Sequence, residues 1–289
     1  MSAEPREITI DVPPLRLAAR EWGPPEGPPV LALHGWLDNA ASFDAIAPRL
    51  PGLRVVCLDL PGHGRSDHVG PGQLYPFVGW VAWVHAVVEV LGWERFGLMG
   101  HSLGAAIASL YAGTFPARVR RLALVEGLGP LSEDPERAPK RLAQSIEAEN
   151  GRRGQRVPVY PTAEAAAERL HAAVPSLSLA GARILVARGL REVEGGFGWR
   201  SDPRLRVPSR LRLSEAQILA FLRAIEAPTV LVRGAEGSPF APEPMGARVA
   251  AVREATLVEL PGGHHLHLDH PEPVGEAVAA FFAPLFAEP

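Results

Sequence analysis

The first 130 residues of the chain alternate short apolar runs with longer runs of helical spacing. The run PVLALHG (residues 29–35) has no polar position before its final His-Gly, whereas FVGWVAWVHAVVEVLGW (77–93) has apolar residues three and four apart. Continuously apolar strands are typical of parallel sheets that helices cover on both faces. The pattern therefore predicts an α/β architecture with a mostly parallel, doubly wound sheet.

Eight segments carry the strand prediction, and most of them end at Gly or Pro. In chain order they are REITIDV, LRLAAREW, PVLALHG, GLRVVCLDLPG, FGLMG, VRRLALVEG, APTVLVRG and ATLVELPGG. We therefore expect a sheet of about eight strands, with helices such as SLGAAIASLYAGTF (102–115) packed on it.

The strand signal is interrupted once. Residues 130–225 carry Pro, Arg and Glu in helical runs, broken by a Gly-rich piece, before apolar strands return at residue 227. The pattern predicts a mainly helical insertion over one end of the sheet. The predicted domains are a core of residues 1–129 and 226–289 and an inserted segment of residues 130–225.

Composition narrows the classes of partner. A formal net charge of −3 and a pI near 6.4 argue against a nucleic-acid or anionic-membrane surface. The single cysteine, Cys57, excludes an intramolecular disulfide, and no Cys/His metal pattern occurs. The N-terminal segment has no apolar signal region, and no apolar run is long enough to span a membrane. We expect a cytoplasmic protein, whose oligomeric state the sequence does not predict.

The pentapeptide GHSLG joins a predicted strand to a predicted helix, with Ser102 at its centre. A sharp turn there exposes the serine at the carboxyl end of the strand. Gly100 and Gly104 leave room where a side chain would collide with a neighbouring helix or strand. In this setting the pattern predicts a nucleophile, although the pentapeptide alone would also suit a structural turn.

A serine nucleophile needs a base that takes its proton. His264 directly follows the Gly-Gly that ends ATLVELPGG, so it lies at a strand tip near the end of the chain. His265, His267 and His270 compete for this role but lie further into the loop or toward the next helix. We predict that His264 is the base, and that His265 and His267 pack the loop, form hydrogen bonds or contact substrate.

The acid that orients the base has two candidates. Glu126 lies at the end of VRRLALVEG, and Glu236 follows APTVLVRG. Either carboxylate could accept the imidazole N–H, because both follow strands on the same side of the serine. The expected oxyanion donors are the backbone N–H groups of Leu103, next to the nucleophile, and Trp36, after PVLALHG. This chemistry requires neither a metal nor an organic cofactor.

With these residues in place, the chain resembles the α/β-hydrolase fold superfamily. Four motifs carry the resemblance in their usual order: LHGWLDNAASFD, DLPGHGRSD, GHSLG and LPGGHHLHLDHPEPV. The first, with the inserted segment, particularly resembles the serine hydrolase-like proteins. The resemblance implies that Ser102 is the nucleophile, His264 the base, and Trp36 and Leu103 the oxyanion donors. It also implies that residues 130–225 form a cap over the substrate pocket.

The acid departs from the common pattern of the superfamily. Many members have an aspartate three residues after the glycine that ends the strand TVLVRG; counted from Gly234, that position is Gly237. A subset has the acid after the preceding strand of the sheet, where this chain has Glu126. The resemblance therefore favours Glu126, with Glu236 as the alternative.

The predicted activity is carboxylesterase-like hydrolysis of a small-molecule ester or related acyl compound. The apolar residues Trp36, Leu37 and Phe43 indicate an acyl or aromatic group in the substrate, and Trp199 could face it from the cap. Two other reactions use the same machinery, C–C bond hydrolysis and acyl transfer to an acceptor other than water. A third alternative is an inactive relative that acts as a binding protein.

Overall fold

The computed structural model describes residues 4–152, 157–236 and 245–287. Eight of the described strands form one sheet and three short strands form another, so the prediction of about eight strands in the main sheet is confirmed. In chain order the strands are β1 (Arg6–Val12), β2 (Leu15–Trp22), β3 (Pro29–Leu33), β4 (Arg54–Leu58), β5 (Phe96–His101), β6 (Val119–Val125), β7 (Val159–Tyr160), β8 (Leu190–Val193), β9 (Gly196–Trp199), β10 (Thr229–Gly234) and β11 (Ala255–Leu260).

The large sheet has the order β1-β2-β4-β3-β5-β6-β10-β11. Strand β2 pairs antiparallel with β1 and β4, and the remaining pairings are parallel. The prediction of a mostly parallel sheet is therefore confirmed. Because β3, β5, β6, β10 and β11 run in one direction, the loops that follow them meet at one edge of the sheet.

The apolar sequence of β11 predicts a buried strand, but the observed strand is partly exposed. It lies at the edge of the sheet, and the side chain of Leu257 in it is 48% exposed. Its apolar sequence resembles that of the central strands, but it pairs with β10 on one side only.

Helices cover both faces of the sheet. They are α1 (Gly79–Val90), α2 (Leu103–Thr114), α3 (Ala138–Arg152), α4 (Ala163–Ala173), α5 (Leu179–Gly189), α6 (Glu215–Arg223), α7 (Met245–Ala251), α8 (Leu266–Asp269) and α9 (Pro271–Phe282). Apolar residues of α1, α2 and α6 belong to one core cluster, and those of α9 to a second. Among the helices described, none combines the length and apolar character needed to cross a membrane.

The chain between β6 and β10 contains α3 to α6 and the small sheet, whose order is β7-β9-β8. Helices α4 and α5 and this sheet share a small apolar core of their own. In contrast, Ile218 and Leu222 of α6 are fully buried in the main core. The segment is thus mainly helical, as its sequence predicts, although it also contains three short strands, and its last helix packs with the sheet layer.

Candidate active site

Ser102 occupies a tight turn between β5 and α2. Its backbone has φ of 50° and ψ of −110°, in the left-handed region that non-glycine residues rarely adopt. Its N–H donates to the Val125 carbonyl at 2.9 Å, and its carbonyl accepts from the Ala106 N–H at 3.0 Å. These bonds to β6 and α2 hold the strained residue at the carboxyl edge of the sheet.

Steric contacts explain why glycine occurs two residues before and two residues after Ser102. A Cβ atom on Gly104 would lie 1.9 Å from the Leu33 carbonyl oxygen, and one on Gly100 would lie 2.5 Å from the Gly104 backbone. Helix α2 therefore begins in direct backbone contact with β3 and β5, which explains the spacing of the pentapeptide.

His264 lies in the loop after β11, with 3% of its surface exposed. Its Nε2 is 2.9 Å from the Ser102 Oγ. Burial lowers the pKa of the imidazole, and the hydrogen bond to Glu126 offsets part of this effect. The ring is therefore neutral near pH 7, which is the form that accepts a proton.

Glu126 follows β6 and reaches the other nitrogen of the imidazole. Its Oε2 is 3.2 Å from the His264 Nδ1, and its Oε1 accepts the Gly234 N–H at 2.6 Å. Burial alone would raise the pKa of Glu126, but these two hydrogen bonds lower it below its ordinary value. An ionised carboxylate only accepts, so Nδ1–H donates to it and Nε2 remains as the acceptor for the Ser102 hydroxyl.

Glu236, the alternative acid, has a different environment. It is exposed, and its backbone N–H donates to the Gly262 carbonyl at 3.1 Å. Gly237 lies outside the described residues. Of the two carboxylates that the sequence leaves open, the structure brings Glu126 into contact with His264.

Backbone strain is concentrated around this site. Among the described residues, three that are not glycine have positive φ: Leu37, Ser102 and Glu126. Each directly follows a strand or lies in the loop after one, at the shared edge of the sheet. Such strain is common where a fold holds reactive groups in fixed positions.

The backbone N–H groups of Trp36 and Leu103 are the predicted oxyanion donors. Leu103 is the first residue of α2, where an N–H has no partner within the helix and the helix dipole favours negative charge. In the described part of the chain, neither N–H donates a backbone hydrogen bond. Their role as oxyanion donors stays a prediction.

The predicted substrate contacts lie in different environments. Leu37 is half-buried and packs against the main core. Phe43 is 0% exposed and belongs to the second core cluster, so it presents no surface to a ligand. Trp199, in β9, packs into the small core of the inserted segment, and its Nε1–H lies 3.5 Å from the Tyr160 hydroxyl.

A buried polar group beside the site was missed by the sequence analysis. Asp38, His101 and His267 each have a potential metal-ligand atom, and these atoms lie within 4.8 Å of one another, a spacing that could hold a metal ion. All three already have protein partners: His101 Nε2 is 2.9 Å from the His264 carbonyl oxygen, His267 Nε2 is 2.8 Å from the Ser42 Oγ, and the Ser42 hydroxyl donates to the Asp38 Oδ2 at 3.4 Å. The signal in the sequence is a polar residue, His101, at the end of an otherwise apolar strand.

The fold and this arrangement define a class. A serine in a strand–turn–helix elbow, a histidine late in the chain and a carboxylate meet at the carboxyl edge of a mostly parallel sheet. A family model described as the alpha/beta hydrolase fold matches residues 28–180 of the chain. The chain belongs to this family, as the sequence motifs predict.

Individual relatives agree. A serine hydrolase-like protein from Danio rerio is 36% identical, over 96% of this chain and 88% of that protein. A hypothetical protein from Pseudomonas aeruginosa PAO1, known from its crystal structure, is 45% identical, with a TM-score of 0.90 and 100% of both chains covered. A thioesterase domain from the curacin biosynthetic pathway is 31% identical, with a TM-score of 0.83, over 96% of this chain and 99% of that domain. The chain is therefore an α/β hydrolase related to serine hydrolase-like proteins.

Proposed function

We propose that this protein is a serine hydrolase that cleaves a carboxylic ester or a related acyl bond, such as a thioester. The observation that carries the proposal is a continuous set of hydrogen-bond contacts from Glu126 through His264 to Ser102. A serine placed there only for structural reasons would need neither a neutral imidazole at its hydroxyl nor a carboxylate behind that imidazole. The thioester is included because one relative, at 31% identity, is a thioesterase domain.

In the proposed reaction, the Ser102 Oγ attacks the carbonyl carbon of the substrate while His264 Nε2 takes the hydroxyl proton. Glu126 accepts from Nδ1–H, and its negative charge stabilises the imidazolium that forms. His264 then gives the proton to the leaving alcohol or thiol. A water molecule, activated by His264, hydrolyses the acyl-enzyme and regenerates the Ser102 hydroxyl.

The negative charge of each tetrahedral intermediate lies on the former carbonyl oxygen. The N–H groups of Trp36 and Leu103 are proposed to bind it, and the loss of one such donor costs about 10²–10³-fold in turnover. The acid–base groups and these donors supply the steps of acyl hydrolysis without a metal or an organic cofactor.

The inserted segment, residues 130–225, is proposed to cap the substrate pocket. The indole of Trp36 is 49% exposed, and its Nε1–H donates to the Leu205 carbonyl of that segment at 3.1 Å. A proposed oxyanion donor therefore belongs to a residue that contacts the cap. Leu37 lies beside it, which supports a small substrate with an acyl or aromatic group.

The test measures the hydrolysis of p-nitrophenyl esters of increasing chain length, and of the matching acyl thioesters, by the wild type and Ser102→Ala. We expect turnover by the wild type and a loss of about 10⁶-fold in the variant. A fluorophosphonate probe should label the wild type and not the variant. The dependence on chain length then limits the size of the pocket.

Other outcomes support the alternatives. Activity on a diketone without activity on esters would identify a C–C bond hydrolase. Faster product release when alcohols or amines are added, with ester or amide products, would identify an acyltransferase. A wild type that neither hydrolyses any ester or thioester nor reacts with the fluorophosphonate would contradict the proposal and favour an inactive binding protein.

A further inference from the structure

His101, the residue before the proposed nucleophile, is buried to 1% exposure at the end of β5. Its Nε2 lies 2.9 Å from the backbone carbonyl oxygen of His264. A carbonyl oxygen only accepts, so this contact fixes the proton on Nε2 and makes His101 the donor. One side chain therefore joins the strand that carries Ser102 to the loop that carries the proposed base.

That loop needs such a connection, because its backbone is permissive. Gly262 and Gly263 precede His264, and Gly262 has φ of 116°, a backbone conformation that glycine adopts readily and other residues rarely do. Glycines give a chain more freedom than other residues, yet the His264 Nε2 must stay near 2.9 Å from the Ser102 Oγ. The hydrogen bond from His101 restrains the backbone of His264 itself.

The opposite side of the His101 ring faces Asp38. The His101 Nδ1 lies 3.4 Å from the Asp38 Oδ2. Burial alone would raise the pKa of Asp38, but the contact with His101 and the neighbouring His265 hold it well below its ordinary value. The buried carboxylate is therefore ionised, and it lies beside the ring on the side away from His264.

Packing leaves the His101 ring little freedom. The centroid of the His267 ring is 3.9 Å from that of His101. A Cβ atom on Gly35 would lie 2.7 Å from the Asp38 Oδ2 and 2.8 Å from the His101 Nδ1. The backbone of Gly35 thus closes the space around the contact between Asp38 and His101, and a ring held on several sides can restrain a loop.

We propose that His101 is a positioning residue: held in place by the packing of Gly35, Asp38 and His267 around its ring, it donates to the His264 carbonyl and sets the distance between the proposed base and Ser102. The proposal rests on the proposed function, because it concerns the same site. It adds a specific role for a side chain that touches neither substrate nor the reacting oxygen. A displacement of about 1 Å between reacting groups can cost 10²-fold in rate.

Two near-isosteric substitutions separate this role from simple packing. In His101→Gln the amide nitrogen can replace Nε2 and still donate toward the His264 carbonyl. In His101→Asn the shorter amide reaches only the position of Nδ1. We expect His101→Asn to lose about 10²-fold in kcat, with little change in KM, and His101→Gln to recover most of that loss. Fluorophosphonate labelling of Ser102 should follow the same order.

Each variant is also made in the Asp38→Asn background, so that no buried carboxylate is left without its partner. Urea unfolding of all four variants shows whether they are equally stable. Hydrogen exchange of residues 261–268 reports on the loop directly and needs no activity. We expect faster exchange in His101→Asn than in His101→Gln, in both backgrounds.

The proposal is overturned if the Gln and Asn variants, equally folded, have the same kcat and the same loop exchange. It is also overturned if both keep the kcat of the wild type. A wild type that is inert toward esters and fluorophosphonate contradicts the proposed function instead. The exchange measurement then still decides whether His101 restrains the His264 loop.

Discussion

Glu126 and Glu236 show how the surroundings of a carboxylate decide its chemistry. Glu126 is 8% exposed and is in contact with the His264 Nδ1 and the Gly234 N–H, whereas Glu236 is exposed. The two donors hold the buried carboxylate of Glu126 in place and keep it ionised. At the exposed carboxylate of Glu236, water competes with any protein donor for the same hydrogen bonds. The two residues therefore form a natural pair of test and control.

We expect Glu126→Gln to lower kcat for a p-nitrophenyl ester by about 10⁴-fold, because an amide can hold the wrong tautomer of His264 and carries no negative charge. Glu236→Gln, which makes the same chemical change at the surface, should keep wild-type activity. Steady-state kinetics of the two purified variants checks this. The reverse order of activities would assign the acid to Glu236.

The pH dependence of the reaction belongs to His264. The base acts in its neutral form, so kcat/KM falls as pH drops through the imidazole pKa. Burial lowers this pKa from 6.5, so the acid limb should lie below pH 6.5. Glu126 raises the pKa of His264, as does Asp38, and His101 lowers it. In Glu126→Gln the limb should therefore move to still lower pH, and a shift to higher pH would contradict the assignment.

At the residue scale, motifs were sufficient to name Ser102 and His264, whose side chains lie 2.9 Å apart, and their catalytic roles stay predictions. The acid could not be chosen from the residues alone, because β6 and β10 are neighbours and each is followed by a carboxylate. Phe43 was expected at the substrate, but a position in the chain does not show which side of a loop packs into the core. His101 was missed because its role depends on a loop that is distant in sequence.

Among the structural elements, the start of α2 has the least tolerance for change. A methyl group on Gly104 would lie 1.9 Å from the Leu33 carbonyl oxygen, and backbone atoms cannot rotate away as a side chain can. We expect Gly104→Ala to separate α2 from β3 and displace Ser102, with loss of both activity and stability. At Gly70, the nearest described atom to such a methyl group would be 3.7 Å away, so Gly70→Ala should behave like the wild type.

Ester kinetics and urea unfolding of Gly104→Ala and Gly70→Ala measure the predicted difference in activity and stability. If Gly104→Ala keeps full activity, the close contact of α2 with β3 is not what positions Ser102. Losses of the same size in both variants would indicate a general sensitivity to added volume.

The elements themselves were largely predictable, because Gly and Pro mark the ends of the core strands and helices. The sequence was less informative in two places. Strands β7 to β9 have two to four residues each, too short to show an alternating pattern. Strand β11 is exposed because it lies at the edge of the sheet. That position depends on the order of the strands, which the apolar residues of β11 do not indicate.

At the scale of the whole molecule, a buried ion pair fastens the inserted segment to the core. Arg188 of α5 is 3% exposed, and its guanidinium contacts Asp59, which follows β4 and is 0% exposed, at 2.8 Å. It also contacts the half-exposed Glu7 of β1 at 2.6 Å. Burial would lower the pKa of Arg188, but the neighbouring Asp59 raises it, so Arg188 is charged in the interior. Charges so far from water are stable only while they are paired.

Removing one partner should therefore be costly. We expect Arg188→Met to lower the free energy of unfolding by about 3–5 kcal/mol, because the carboxylate of Asp59 stays buried without its cation. Arg183→Met lies in the same helix but removes an ion pair with Glu164 in which both side chains are about half exposed, so little change is expected. Urea denaturation of both variants measures the difference.

The double variant Arg188→Met/Asp59→Asn should recover part of the stability, since it leaves no uncompensated charge. Equal stability of Arg188→Met and Arg183→Met would show that the inserted segment is held to the core mainly by its other contacts.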